Sequence, residues 1–248
     1  MKTIACYNIK GGVGKTATAV NLAYLASREG ARTLVLDLDP QGATSFYFRI
    51  KPKIKGGVKK LIDGKRDISE LIKATDYANL DLVPTDFSFR NMDLLLEEEK
   101  NPTLRLRKLL KNLDEEYDYA FLDCPPSISL VSENVFQAAD ALLVPTIPST
   151  LSLRTLEQLL KFCRENKLGK LMVLPFFSMV DLRKQMHRSI VENSAGTLGD
   201  VLRSVIPYAS EVEKMGLKRA ALSSYAPKSR PALAYESLWE EIKVHLAR

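Results

Sequence analysis

Residues 8–16, which read Asn-Ile-Lys-Gly-Gly-Val-Gly-Lys-Thr, constrain the fold of this chain more than any other stretch. A short apolar run precedes them, and residues 17–29 follow without glycine or proline. This order predicts a strand, a tight loop and a helix, which is the setting of a phosphate-binding loop. Its glycines leave no side chain between peptide N–H groups and a polyphosphate, and the helix dipole adds to the attraction. We therefore expect Lys15 to neutralise phosphate oxygens and the Thr16 hydroxyl to bind Mg²⁺.

Length and composition favour a single α/β domain over residues 1–248, because 46% hydrophobic residues can bury a large core. The apolar runs are only as long as strands, far below the roughly 20 residues of a membrane-spanning helix. Asn8 and Lys10 interrupt the N-terminal apolar run, so we expect no export signal. Cys6, Cys124 and Cys163 are odd in number and form no C-x-x-C pair, which favours a reducing cytoplasm and no metal site.

The formal net charge of +6 indicates a polyanionic partner such as DNA or an acidic membrane surface. A soluble protein with surplus lysine would have the same charge, and charge alone leaves the two interpretations open.

Apolar runs at 33–36, 80–83, 117–122, 141–145 and 171–174 alternate with segments of helical periodicity. This order predicts a mostly parallel, twisted sheet with helices on both faces. Carboxylates follow two of the runs, with Asp37 and Asp39 after one and Asp123 after another. Open α/β sheets bind ligands at the carboxyl ends of their strands, so we expect these side chains near the phosphate loop.

The loop departs from the general G-x-x-x-x-G-K-[ST] pattern, because Ile9 replaces the first glycine and a second lysine stands at Lys10. It resembles the deviant Walker A loop, K-G-G-x-G-K-[ST], of the ParA/MinD ATPases. In that family the extra lysine reaches the phosphates held by the other subunit of a nucleotide-sandwich dimer. The resemblance implies a P-loop NTPase fold, ATP and Mg²⁺ as cofactors, a trans role for Lys10 and a cis role for Lys15. It also implies that the nucleotide contacts Gly11, Gly12, Val13, Gly14, Lys15, Thr16 and Ala17.

Other segments extend the resemblance through nearly the whole chain. Residues 37–42 resemble the family's D-x-D-P-Q-G, which implies that Asp39 positions the attacking water and that Asp37 binds Mg²⁺ or orders the loop. Asp123 opens a D-C-P-P-S segment similar to switch II, and by its Walker B position it would hold Mg²⁺. The catalytic set is then Lys10, Lys15 and Asp39. Met179 and Pro207 stand where relatives close the adenine pocket.

The C-terminal region resembles the ending of ParA proteins over residues 225–235, followed by an amphipathic helix through Leu238, Ile242 and Leu246. Ala226 and Pro231 replace the Asp and Gly of that pattern. Many relatives carry a dimer-facing Glu where this chain has Pro148-Ser149-Thr150. No operator-reading module precedes the loop and no MinD-like basic segment follows the last helix, so we expect the short single-domain type without stable membrane anchoring.

The resemblance implies a slow, cytoplasmic, nucleoid-associated ATPase that forms a homodimer on ATP binding and binds DNA without sequence preference. It would position or segregate a plasmid, a chromosome or a protein organelle. A ParB-like or cargo-adaptor partner with a basic N-terminal segment would stimulate hydrolysis. Candidate DNA contacts are Arg183, Lys184, Lys214, Lys218, Arg219, Lys228 and Arg230. Alternatives are a MinD-like membrane-associated ATPase, an iron–sulfur carrier ATPase and a non-enzymatic DNA-packing protein; the sequence does not name the cargo.

Overall fold

The apolar runs of the sequence form one sheet. The computed structural model describes residues 1–54, 56–166, 168–193 and 201–247. Within these ranges the strands are β1 Lys2–Cys6, β2 Thr33–Asp37, β3 Lys73–Ala74, β4 Leu80–Val83, β5 Tyr119–Asp123, β6 Ala141–Thr146, β7 Met172–Val180 and β8 Val205–Pro207. Their order is β3-β4-β2-β5-β1-β6-β7-β8, and every pairing is parallel except β3 with β4. The predicted fold class is confirmed.

Helices cover both faces of the sheet. They are α1 Lys15–Arg28, α2 Ala43–Tyr47, α3 Gly57–Ile62, α4 Met92–Glu97, α5 Arg105–Lys111, α6 Leu130–Ala138, α7 Thr150–Glu165, α8 Gln185–Asn193, α9 Ser210–Glu213, α10 Met215–Lys218, α11 Leu222–Tyr225 and α12 Arg230–Leu246. Short 3₁₀ helices span Ile68–Leu71 and Phe87–Asn91. In the described ranges, none of these helices combines the length and the apolar character needed to cross a membrane.

Side chains alternate between two buried clusters, one on each face of the sheet. In β1, Ile4 and Cys6 pack with residues of α1 and α12, whereas Ala5 packs with residues of α6 and α7. Trp239 of α12 is almost fully buried and contacts Tyr119 edge to face at 5.2 Å between ring centroids. Cys6, Cys124 and Cys163 are buried free thiols, and burial raises the pKa of each.

Two boundaries differ from the sequence prediction. The last helix begins at Arg230, inside the segment predicted to precede it, because the Ser229 side chain accepts a hydrogen bond from Ala232 N and Pro231 suits the first turn. The sequence predicted an apolar run at 171–174, but the strand β7 is longer and continues through Pro175 to Val180. Proline is tolerated there because β8 pairs with β7 only from Phe177 onward, so the missing N–H leaves no ladder bond unmade.

The strand order places three chain segments together at one edge of the sheet. β1 lies between β5 and β6, and β5 lies between β1 and β2. Asp123 is in register with Cys6 on one side and with Asp37 on the other. Because the loop leaves β1 just after Cys6, the two carboxylates lie directly beside it.

Candidate functional site

The loop between β1 and α1 is fixed by one buried side chain. Asn8 Nδ2 donates to Pro145 O at 2.9 Å, and Asn8 Oδ1 accepts from Lys10 N at 2.9 Å. Gly14 is the N-cap of α1 with φ 96°, and Gly12 has φ 69°. Both values lie in the left-handed region that favours glycine, so these two positions need glycine for backbone reasons. The peptide N–H groups at the start of α1 are therefore free of side-chain cover.

The two lysines of the loop have different surroundings. Lys15 is 7% exposed, and Lys15 Nζ donates to Lys10 O at 3.1 Å. Burial lowers the Lys15 pKa, and the nearby Asp123 opposes that shift. Lys10 Nζ instead donates to Ser152 Oγ at 3.2 Å, in the first turn of α7. The ammonium of Lys10 thus points to another element of the protomer, whereas Lys15 stays within the loop.

Asp37 and Asp123 are buried carboxylates, and in each of them only one of the two oxygens accepts a hydrogen bond. Asp37 Oδ2 accepts from Ser45 N at 2.8 Å and from Ser45 Oγ at 2.7 Å, and Asp123 Oδ2 accepts from Thr44 Oγ1 at 2.7 Å. The other oxygen of each is buried without a hydrogen-bond partner. A buried acceptor without a partner is costly unless a ligand satisfies it.

These surroundings raise the pKa of both carboxyl groups. Burial, followed by the charge of Asp123, raises the pKa of Asp37 to about 7. Burial raises the pKa of Asp123 to about 6, although the hydroxyls of Thr44 and Thr16 oppose the shift. A divalent cation would reverse both shifts, because it stabilises the ionised form. Mg²⁺ prefers oxygen ligands and takes few of them from the protein, so Thr16 and Asp123 fit such an ion.

One cavity of about 350 Å³ gathers the predicted nucleotide contacts. Its wall contains Gly11, Gly12, Val13, Gly14, Lys15, Thr16, Ala17, Asp39, Met179 and Pro207. Lys10, Asp37 and Asp123 are not among the residues that line this cavity. Asp39 is partly exposed, and its Oδ1 accepts from Gln41 N at 3.0 Å.

Met179 reaches the cavity because of a local distortion in β7. The register between β7 and β8 shifts between Phe177 and Val180, and Met179 has φ 55°. A positive φ is unusual for methionine and marks strain, and a bulge of this kind redirects a side chain. Tyr208 N donates to Val180 O at 2.9 Å, which fixes the strand beyond the bulge.

Sequence reasoning missed about half of the cavity wall. Ile206, which precedes Pro207 in the Ile-Pro pair that resembles the family's adenine pocket, also lines the cavity. The lining residues that the sequence did not indicate are Ala43, Tyr47, Pro126, Ser178, Tyr208, Ala209, Val212, Glu213 and Tyr235. Tyr208 Oη donates to Glu213 Oε1 at 2.8 Å, so two of these side chains form a bonded pair at the rim. Thr44 and Ser45, which hold the carboxylates, were also missed. Their position directly after the D-L-D-P-Q-G turn was the available signal.

The predicted DNA contacts lie outside this cavity, in three separate segments. Arg183 binds Asp181 through two hydrogen bonds of 2.8 and 2.9 Å. Arg219 Nε donates to Phe46 O at 3.0 Å, and its guanidinium lies 4.6 Å from the centre of the Phe46 ring. In the part of the chain that the structure describes, the remaining five are exposed and make no ion pair: Lys184, Lys214, Lys218, Lys228 and Arg230.

Comparison with known proteins identifies the family. A family model for an AAA domain matches residues 1–171. The sporulation initiation inhibitor protein Soj of Bacillus subtilis is 32% identical over 97% of this chain and 98% of its own length. The chromosome partitioning protein ParA of Myxococcus xanthus is also 32% identical, over 97% of this chain and 87% of its own. This chain belongs to the ParA family. The resemblance carried by its loop motif is confirmed.

Solved structures agree with this assignment. The crystal structure of a cobyrinic acid a,c-diamide synthase from Mycobacterium smegmatis with bound ADP and magnesium is similar to this one. It is 26% identical with a TM-score of 0.83 and covers 100% of this chain and 96% of its own. A putative plasmid partition protein from Borrelia burgdorferi bound to AMPPNP matches with a TM-score of 0.85 over 98% of this chain and 99% of its own. Because its sequence identity is 23%, this similarity supports the fold alone.

Proposed function

We propose that this protein is a Mg²⁺-dependent ATPase that dimerises on ATP, binds DNA without sequence preference and releases it after hydrolysis. The observation that carries the proposal is the separation of its two loop lysines. Lys15 lines the cavity, whereas Lys10 lies outside it with its ammonium on Ser152. A lysine that cannot serve its own nucleotide in this arrangement is available to a nucleotide held by a second copy.

The residues of one protomer supply most of what phosphoryl transfer to water requires. The loop N–H groups and Lys15 would bind the phosphates, and Asp39 would orient the attacking water from the cavity wall. Thr16 and Asp123 would hold Mg²⁺, with Asp37 ordering α2 through Ser45. When bound, the ion neutralises charge that develops on the phosphate oxygens. Met179 and Pro207 would enclose the base at the far end of the cavity.

The second copy supplies the missing cation. In a sandwich of two protomers, Lys10 of each would approach the phosphates of the other, so that hydrolysis depends on dimerisation. Nucleotide occupancy then controls whether the protein is a protomer or a dimer. This coupling suits a slow switch, because each cycle includes assembly and separation of two subunits.

DNA binding follows from charge and from dimerisation. The chain carries a net charge of +6. The five predicted DNA contacts that make no ion pair within the described part of the chain are exposed on its surface. A dimer doubles the number of these groups, and affinity for a polyanion rises steeply with the number of phosphate contacts. The relatives Soj and ParA are named for chromosome partitioning in Treponema pallidum and Myxococcus xanthus. We therefore place this protein in the positioning or segregation of a cargo, with a partner that stimulates hydrolysis.

The trans role can be tested with two lysine variants and one control. Lys15→Ala should abolish nucleotide binding, measured by fluorescence of a labelled ATP analogue. Lys10→Ala should keep that binding while losing the ATP-dependent dimer in sedimentation velocity and the associated turnover. Lys59→Ala, an exposed lysine on α3, should change neither. A Lys10→Ala protein that dimerises and hydrolyses ATP normally would refute the proposal.

DNA binding has its own test. The ATP-loaded dimer should bind DNA duplexes of unrelated sequence with equal affinity, and that affinity should fall steeply as the salt concentration increases. Vesicles of acidic lipid should not retain the protein. Retention by vesicles without DNA binding would instead support a membrane-associated role.

A further inference from the structure

Lys10 is linked to β6 through Asn8 and to α7 through its own ammonium. Its backbone is held through Asn8, whose Nδ2 donates to Pro145 O near the end of β6. Its Nζ donates to Ser152 Oγ in the first turn of α7. The side chain therefore spans a fixed distance between two points of the same protomer, and its direction is set by the contact at Ser152.

Ser152 is itself held in place by a second serine. Ser149 is the N-cap of α7, and its side chain accepts from Ser152 N. Ser149 Oγ also donates to Ser152 Oγ at 2.9 Å. The oxygen of Ser152, which is 1% exposed, thus accepts from both Ser149 and Lys10. These hydrogen bonds present a fixed, neutral acceptor to the ammonium.

This position is electrostatically unfavourable for a cation. α7 spans 16 residues, and the N-terminus of a helix carries a partial positive charge that repels an ammonium. Among the residues that the structure describes, Lys10 makes no ion pair with a carboxylate that would offset this repulsion. The contact with Ser152 is consequently weak, and an anionic oxygen within reach would compete for Lys10 successfully.

We propose that Ser152 is a positioning residue that holds the Lys10 ammonium at the start of α7 in the free protomer. On dimerisation, the ammonium exchanges Ser152 for a phosphate oxygen of the nucleotide in the other subunit. The inference rests on the proposed trans role of Lys10. It adds that the free protomer stabilises the lysine in a waiting position, so that the bond to Ser152 opposes dimerisation until a triphosphate is present.

Removing the acceptor should therefore strengthen the dimer. A net hydrogen bond lost per protomer corresponds to about threefold in an equilibrium constant. Two protomers give up one bond each, so Ser152→Ala should tighten dimerisation with a non-hydrolysable ATP analogue by about tenfold. Ser152→Asp replaces the neutral oxygen with a carboxylate at a helix N-terminus, where an acid is tolerated. It should hold Lys10 more firmly and weaken the dimer.

The measurements are the dimer dissociation constant by sedimentation equilibrium and the nucleotide affinity of the protomer, which should stay unchanged in both variants. Thr155→Val is the matched control, because it removes a hydroxyl one turn further along α7 that bonds only Leu151 O. It should leave dimerisation unchanged. In a Lys10→Ala background, Ser152→Ala should not restore the ATP-dependent dimer, since no ammonium remains to be released.

The outcomes separate this inference from the proposed function. If Lys10→Ala leaves the dimer intact, the trans role itself fails. If Lys10→Ala removes the dimer while Ser152→Ala and Ser152→Asp leave the dissociation constant of the Lys10 protein unchanged or shift it in the same direction, the trans role stands and the positioning role of Ser152 is wrong. Recovery of the dimer by Ser152→Ala in the absence of Lys10 would likewise overturn it.

Discussion

The glycines of the phosphate loop allow a prediction that separates the needs of the protomer from those of the dimer. A Cβ added at Gly11 would meet no atom within 4 Å, and the backbone of Gly11 lies outside the left-handed region. The protomer therefore has no structural reason to require glycine there. Gly11→Val should change the free energy of unfolding by no more than about 0.5 kcal/mol, as for other exposed substitutions.

Gly14 provides the contrast within the same loop. It has φ 96°, and a Cβ there would lie 3.0 Å from Ser178 Oγ. A left-handed conformation costs a non-glycine residue about 1–2 kcal/mol, and the close contact adds to that cost. For a chain of this size, Gly14→Ala should lower the melting temperature of the nucleotide-free protein by roughly 2–8 °C. The displaced loop should also lose nucleotide affinity.

Thermal unfolding, titration with a labelled ATP analogue and sedimentation velocity together test this pair. Gly11→Val should match the unmodified protein in the first two measurements and remain a protomer in the third, because a branched side chain would stand where two loops meet. A Gly11→Val protein that melts several degrees lower, or that fails to bind nucleotide, would show that the protomer itself needs this glycine. Normal dimerisation of Gly11→Val would place the dimer contact elsewhere.

Three further predictions concern the carboxylates and the basic surface. Asp39→Ala should bind ATP and dimerise but hydrolyse poorly, so that it stays on DNA in a filter-binding assay under conditions that release the unmodified protein. Because the pKa of Asp37 is raised to about 7 and that of Asp123 to about 6, the folded nucleotide-free protein binds more protons than the unfolded chain. Its stability in urea should therefore fall as pH rises from about 4 to 7, and Asp37→Asn should flatten that slope. Arg219→Ala should reduce stability through loss of its contacts with Phe46. Lys228→Ala should leave the melting temperature unchanged, but it should weaken DNA binding and reduce the salt dependence of that binding.

The sequence predicted the parts of the site that lie close to strand ends. Asp37 and Asp123 each follow a short apolar run, and the loop that carries Lys15 follows another. Parallel strands bring such positions to one edge of the sheet whatever their order in the chain. The motif also supplied Asp39. These residues could be located because each lies close in sequence to the end of a strand, and the pairing of parallel strands then brings those ends together.

Residues from distant segments could not be predicted in the same way. Tyr235 reaches the cavity only because α12 packs on α1, and Tyr47 reaches it because the unpredicted helix α2 is held by the carboxylates. The bond between Lys10 and Ser152 joins positions 142 residues apart, and it depends on β6 lying next to β1. The positive φ of Met179 arises from a register shift between two strands, which no local pattern indicates.

The protomer contains three features that a protein selected for stability alone would not keep. Asp37 and Asp123 each leave a buried oxygen without a partner, and Lys10 places a cation at the positive end of a helix. Each departs from a rule of folding and costs stability in the free protein. All three adjoin the same loop, and the proposed ligands would reduce each cost: a metal ion would satisfy the carboxylates, and the triphosphate of a second subunit would attract the ammonium. In the proposed cycle each ligand would therefore relieve a penalty that the empty protomer retains.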